Sequence, residues 1–192
     1  MPRESKFTKS DLYRATRQLL LQHGYAGFHF GLLAERLNVT RAALYKYFDN
    51  KDALIAEYMA FEMKQFLRDL EQMEKYPAFE DRLDFLLRVI LKYSKIHQLL
   101  SIVFQIPESN HAKVNQTLKQ LEQQHEKMYS LLNGFIQSGK KKGILKPELP
   151  DHLLLGFIFQ SVNIPNNSRL PEAEWTNLIK EFLCYGMFQR KK

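Results

Sequence analysis

The stretch NVTRAALYKYFDNKDAL, residues 38–54, gathers Arg41, Tyr45, Lys46, Tyr47, Phe48 and Lys51 into one short segment that also reads as a helix boundary. Aromatic and cationic side chains this close together suit one of two purposes. They can end a solvated helix over a few core aromatics. Alternatively, they can form a surface that lies against nucleic acid, with cations on phosphates and side chains on base edges. Other chemistry finds little support in the residue types. Cys184, the single cysteine, sits in the apolar helical pattern EFLCYGMF without a partnered His and acid, so packing explains it better than nucleophilic attack. On one helix His111 and His125 would stand roughly 21 Å apart, and no HExxH occurs. Neither a catalytic constellation nor a metal or cofactor site is expected.

Composition limits what those residues can serve. With 192 residues, 45% apolar and 26% charged, the chain has ordinary globular usage and can build one substantial core or two small ones. A formal charge of +7 favours an acidic partner, nucleic acid or a membrane surface. Residues 1–52 hold nine Lys and Arg against five Asp and Glu, and residues 53–192 hold nineteen against sixteen. Positive charge is therefore denser at the N-terminal end, where an anionic partner is to be sought. The opening MPRESKFTKSD is polar and lacks the apolar stretch of a secretory signal. Apolar runs stay far below the roughly 18 residues of a membrane span. A cytoplasmic protein without a membrane partner is expected.

Helical periodicity runs through nearly the whole chain and no stretch alternates convincingly as a strand would, so the fold class is all-α. Thr8 with Asp11 resembles a capping box, after which Leu12, Ala15 and Leu19 recur on one face until Gly24 ends the helix. A short helix from Phe30 to Leu37 buries Leu33, Ala34 and Leu37, and Asn38-Val39 makes a turn. Thr40 then caps a third helix of about eight residues running through Tyr47. Asn50 caps a fourth that runs toward Pro77. Two helices joined by a tight turn, the second short and basic, with another helix packed across both, describe a helix-turn-helix. Spacing i, i+4 sends Leu44 and Phe48 to its core and leaves Arg41, Ala42, Tyr45 and Lys46 outside. That outer surface is about 12 Å long, close to the width of a DNA major groove. A base contact, to guanine O6 and N7, is expected from Arg41, and a thymine methyl contact from Ala42. Phosphate contacts are expected from Tyr45, Tyr47 and Lys51.

The segment HGYAGFHFGLLAERLNVTRAALYKYFDNKDAL also resembles the signature of the tetracycline-repressor (TetR) family of bacterial transcription regulators: Gly-Tyr, a helix ending before Val-Thr, then Leu-Tyr-x-Tyr-Phe-x-Asn-Lys. The resemblance is specific over residues 8–54. It implies that Thr40, Arg41, Ala42, Tyr45, Lys46, Tyr47 and Lys51 contact DNA bases or phosphates, with Phe30 and Gly31 at the start of the second helix. The chain departs from the family there, because Phe28-His29-Phe30 replaces the usual Ser or Thr cap. Farther on, GKKKGILKPELPDHLLLGF and FLCYGMF are similar, more loosely, to the family's closing helices.

The chain divides on this reading into a DNA-binding domain, residues 1–52, and a helical effector-binding and dimerisation domain, residues 53–192, with about nine helices in all. Leu118, Leu121, His125, Met128, Leu132 and Phe135 form a seam spaced 3-4-3-4-3. His125 is either a satisfied core histidine or a pocket-lining group. In the second case Tyr93, Phe104, Met128, Leu132 and Phe159 line the same space. Residues 83–106 carry Arg88, Lys92, Lys95 and His97 against the single acid Asp84, which favours a neutral or anionic apolar effector. Leu154, Phe157 and Ile158, with Leu178, Phe182 and Tyr185, form either a homodimer interface or monomer core. Lys140–Lys142 either bind phosphate or complement a helix C-terminus. Two functions compete: an operator-binding repressor released by a small molecule, and a helical protein-interaction adaptor with a basic N-terminal face.

Overall fold

The computed structural model describes residues 7–103, 105–106 and 112–188. Among these the fold is all-α. There are nine α-helices and no strand beyond an isolated antiparallel bridge between Leu145 and Phe188. The contacts divide the chain into two compact units, residues 1–64 with 95–124 and residues 65–94 with 125–192. This division differs from the boundary expected near residue 52. The helix that starts at Lys51 continues without a break to Glu71, and residues 95–124 join the N-terminal unit.

In the first unit, α1 (Lys9–Gly27) begins with the expected capping box. Thr8 Oγ1 accepts from the Asp11 amide at 3.1 Å and the Asp11 carboxylate accepts from the Thr8 amide at 3.2 Å. Gly24 does not end the helix but breaks it, with φ 64° and ψ −175°. One further turn follows, closed by the Phe28 amide on the Gly24 carbonyl. Only glycine takes that conformation without strain. α2 (Phe30–Arg36) packs against both α1 and α3 (Arg41–Tyr45). Between them Asn38 turns the chain at φ 53°, a conformation asparagine tolerates. α3 has five residues rather than eight. After Tyr45 the amides of Tyr47 and Phe48 both close on the Leu44 carbonyl, so the chain unwinds before Asn50 caps α4 (Lys51–Glu71) through the Ala53 amide at 2.8 Å. Leu33, Leu44 and Leu54 are fully buried in the core of this unit. α6 (Ser94–Val103) and the first part of α7 (Ala112–Lys141) complete it.

In the second unit, α5 (Phe79–Lys92) stacks Phe79 on Phe135 of α7, with ring centres 4.5 Å apart and planes 6° from parallel. α9 (Glu172–Met187) packs against α5 and against α8 (Asp151–Gln160), and Lys180 reaches Asp84 of α5 at 2.7 Å. Pro171 sits one place before the first helical residue, as the N-cap, and Trp175 lies half-buried in the first turn. Lys140 is tied to Asp151 at 2.6 Å and to the Leu149 carbonyl. One lysine of the triplet is thereby engaged with the segment that leads into α8. Cys184 is half-buried, and burial pushes its thiol pKa up, as a packing residue requires.

Candidate nucleic-acid interface

α3 exposes the face anticipated from the spacing. Leu44 is fully buried, whereas Arg41, Ala42, Tyr45 and Lys46 are exposed. Thr40 Oγ1 accepts from the Ala43 amide at 3.3 Å and starts the helix with one donor satisfied. The Tyr45 ring, 56% exposed, meets Phe30 edge-on at 5.0 Å. Tyr47, 52% exposed, meets Phe7 at 5.7 Å. These contacts fix both rings and leave their outer parts open to a partner.

Three expected positions behave differently. Phe30 is buried, because the first residue of α2 points its ring inward beneath Tyr45, so it supports the surface rather than forming it. Gly31 lies beneath Arg41: a Cβ there would come 2.6 Å from the Arg41 Nη2. Lys51 is engaged within the fold. Its ammonium donates to the Tyr25 carbonyl at 2.8 Å and stands 4.1 Å from the Tyr25 ring centre. The Tyr25 hydroxyl donates to Asp52 at 2.8 Å. Burial, together with the Asp52 hydrogen bond, raises the Tyr25 pKa to about 12.

His29 and Tyr25 were not among the expected site residues. The His29 Nδ1 accepts from the amides of Gly31 at 3.1 Å and Leu32 at 3.4 Å, filling the cap role of a Ser or Thr. The unusual Phe28-His29-Phe30 start was the available signal for it. For Tyr25 the Gly-Tyr of the signature was the only local sign, since its partners follow 26 and 27 residues later.

The other expected site residues differ in burial. Phe104 lies outside the described residues. Met128 and Leu132 are buried, and His125 and Phe159 are half-buried. Tyr93 is committed locally: its hydroxyl donates to Asp69 at 2.9 Å and its ring meets Phe66 at 5.3 Å. A cleft of about 420 Å³ opens in the first unit, where Leu20, Leu21 and Tyr25 of α1 face Gln98, Leu99 and Ile102 of α6. Among the described residues, Tyr93, His125, Met128, Leu132 and Phe159 do not line it. On the closing helices, Phe157, Leu178, Phe182 and Tyr185 are exposed, and so is Leu153, which spacing did not single out. Leu154 and Ile158 are buried instead. They repeat four residues apart on the inner side of α8, while Leu153 and Phe157 repeat on its outer side.

A capped three-helix unit that presents a short, basic and partly aromatic helix on its surface defines a helix-turn-helix DNA-binding protein. Residues 12–58 match the family model described as bacterial regulatory proteins of the tetR family. It is similar to the uncharacterized HTH-type transcriptional regulator YhgD of Bacillus subtilis, with 27% identity over 145 residues, 74% of each chain. In fold it resembles FadR from Bacillus subtilis, solved in complex with stearoyl-CoA. The TM-score is 0.65 and the identity 19%, over 93% of this chain and 99% of that one. It also resembles AibR in complex with isovaleryl coenzyme A and operator DNA, with a TM-score of 0.72 and 16% identity over 89% and 95% of the two chains. No helix among the described residues is long and apolar enough to cross a membrane.

Proposed function

We propose that this protein is a ligand-responsive repressor that binds a palindromic operator as a homodimer and is released by a small apolar effector. Residues 1–52 carry DNA binding, and residues 53–192 carry effector binding and dimerisation. The observation that carries the reading is the exposed face of α3, with Arg41, Ala42, Tyr45 and Lys46 presented over the buried Leu44. A five-residue reading helix meets few base pairs, so useful specificity needs two half-sites related by a two-fold axis. The exposed Leu153, Phe157, Leu178, Phe182 and Tyr185 on α8 and α9 supply an apolar face for a second copy of the chain. The stearoyl-CoA and isovaleryl coenzyme A complexes of FadR and AibR support an anionic effector with an apolar body. This agrees with the cationic excess along residues 83–106.

The test is a footprint of the full-length protein on DNA flanking its own gene, at several salt concentrations. Protection of a two-fold symmetric site, with affinity falling steeply as salt rises, is expected. An unprotected region and no salt-dependent affinity for duplex DNA would return the chain to the adaptor reading. For the effector, acyl thioesters, apolar acids, neutral aromatics and quaternary amines are compared by thermal stabilisation. Stabilisation by the cations alone would contradict the charge argument.

A further inference from the structure

We infer that Arg41 grips a DNA phosphate together with His29 instead of reading a base, and that Gly31 is the positioning residue that allows it. The inference rests on the DNA-binding reading above. As the first residue of α3, Arg41 holds a place from which a reading helix usually meets base edges. Its side chain goes elsewhere. The guanidinium folds back onto the first turn of α2, so close that a Cβ at Gly31 would stand 2.6 Å from Nη2 and 2.8 Å from the His29 Nδ1. Any side chain at position 31 would therefore expel either the guanidinium or the imidazole from this spot.

The place where Arg41 comes to rest decides its partner. In a helix-turn-helix the first helix of the motif crosses the phosphate backbone while the second lies in the groove. α2 is that first helix. The amides of Gly31 and Leu32 are not the donors on offer, because His29 Nδ1 already takes both. By accepting twice at Nδ1, the imidazole carries its own N–H on Nε2, and the residue is exposed. A guanidinium that crowds the same spot as the imidazole of an exposed histidine puts two side-chain donors near one another, suited to one phosphate group. Base readout then falls to Ala42 and Lys46, and to Tyr45, whose ring Phe30 holds in place.

The experiment measures binding of the full-length protein to an operator and to a set of single-base-pair variants of it, over a range of salt. Arg41→Ala is expected to weaken binding by the same factor on every sequence and to lower the salt slope by about one per half-site. His29→Asn keeps a capping side chain but loses the ring N–H, and is expected to weaken all sequences equally with the slope unchanged. Gly31→Ala should reproduce the Arg41→Ala loss, slope included, and in the Arg41→Ala background should add no more than the His29→Asn loss. A merely structural role for Gly31 would instead give losses that add. If Arg41→Ala flattens the preference at one base pair and spares the slope, Arg41 reads a base and the inference is overturned. Additive Gly31 and Arg41 losses would overturn the positioning role. Failure of the unaltered protein to bind duplex DNA would remove the underlying reading, a result distinct from either.

Discussion

The Lys51 ammonium and the Tyr25 ring face one another at 4.1 Å, and the same ammonium donates to the Tyr25 carbonyl. With Asp52 holding the hydroxyl, two consecutive residues at the start of α4 grip one tyrosine near the end of α1. Lys51 is therefore a fastening of the fold as well as a candidate phosphate contact. Lys51→Met should lower unfolding stability by about 1–2 kcal/mol, from a lost cation–π contact and a lost charged hydrogen bond. Tyr25→Phe keeps the ring and should cost about half as much. Urea denaturation of the two variants checks the order. Equal stability of Lys51→Met and the unaltered protein would leave only the phosphate role.

Gly139, in α7, has no room for a side chain. A Cβ there would come 2.6 Å from Phe79 Cε2 and 2.8 Å from Leu145 Cδ1. Phe79 is also buried and stacked on Phe135. Gly139→Ala should cost roughly 1–3 kcal/mol despite the better helix propensity of alanine. A variant that melts at or above the temperature of the unaltered protein would show that the ring stack yields.

Phe182, 77% exposed on α9, should contribute to assembly and little to the fold of one chain. Phe182→Glu is expected to sediment as a folded species of 22.7 kDa, and the unaltered protein at twice that mass. Leu154→Ala, at a buried site on α8, should instead cost about 2–5 kcal/mol of stability. A dimer that survives Phe182→Glu, and Leu178→Glu with it, would place the interface on another face.

Burial pushes the Glu62 carboxyl pKa up, against the pull of Arg17 and Tyr58. An acid whose folded pKa lies above its unfolded one contributes stability at low pH and loses that contribution as pH rises through the folded value. Glu62→Gln should therefore stabilise the protein at neutral pH, and the gain should shrink as the pH falls through the raised folded pKa of Glu62. Glu57 has the opposite sign. Burial raises its carboxyl pKa, but the hydrogen bonds from Lys9 and Tyr13 outweigh this and hold it below the usual value. Glu57→Gln should lose stability at neutral pH, by an amount that fades in acid. Melting curves of both variants from acid to neutral pH would contradict these signs if the two trends ran together.

The reading helix and its neighbours were legible because their signals are local. Thr8, Thr40 and Asn50 cap the helices they precede, and the i, i+4 pair Leu44 and Phe48 marks the inner face. What escaped depends on contacts distant in sequence or on geometry finer than a period. Lys51 reads as a free cation until Tyr25 is found beside it. Leu154 and Ile158 have the same apolar character as Leu153 and Phe157, and hydrophobicity alone does not say which pair of a largely apolar helix faces inward. α3 is shorter than its pattern because the chain must unwind before Asn50 can cap α4. Gly24 carries the usual sign of a helix end, but here the chain resumes one more turn beyond it.

Trp175 is the single tryptophan, among nine tyrosines, and it lies on α9, the helix whose outer side shows Leu178, Phe182 and Tyr185. The chain therefore carries an optical label at its apolar face and none on the reading helix, where the aromatic residues are tyrosines. Light absorbed selectively by the indole reports the surroundings of α9 alone. A change in its emission colour or lifetime on dilution would record assembly without any attached dye. A change on adding operator DNA, which meets a different helix, would be an optical record of communication between α3 and α9.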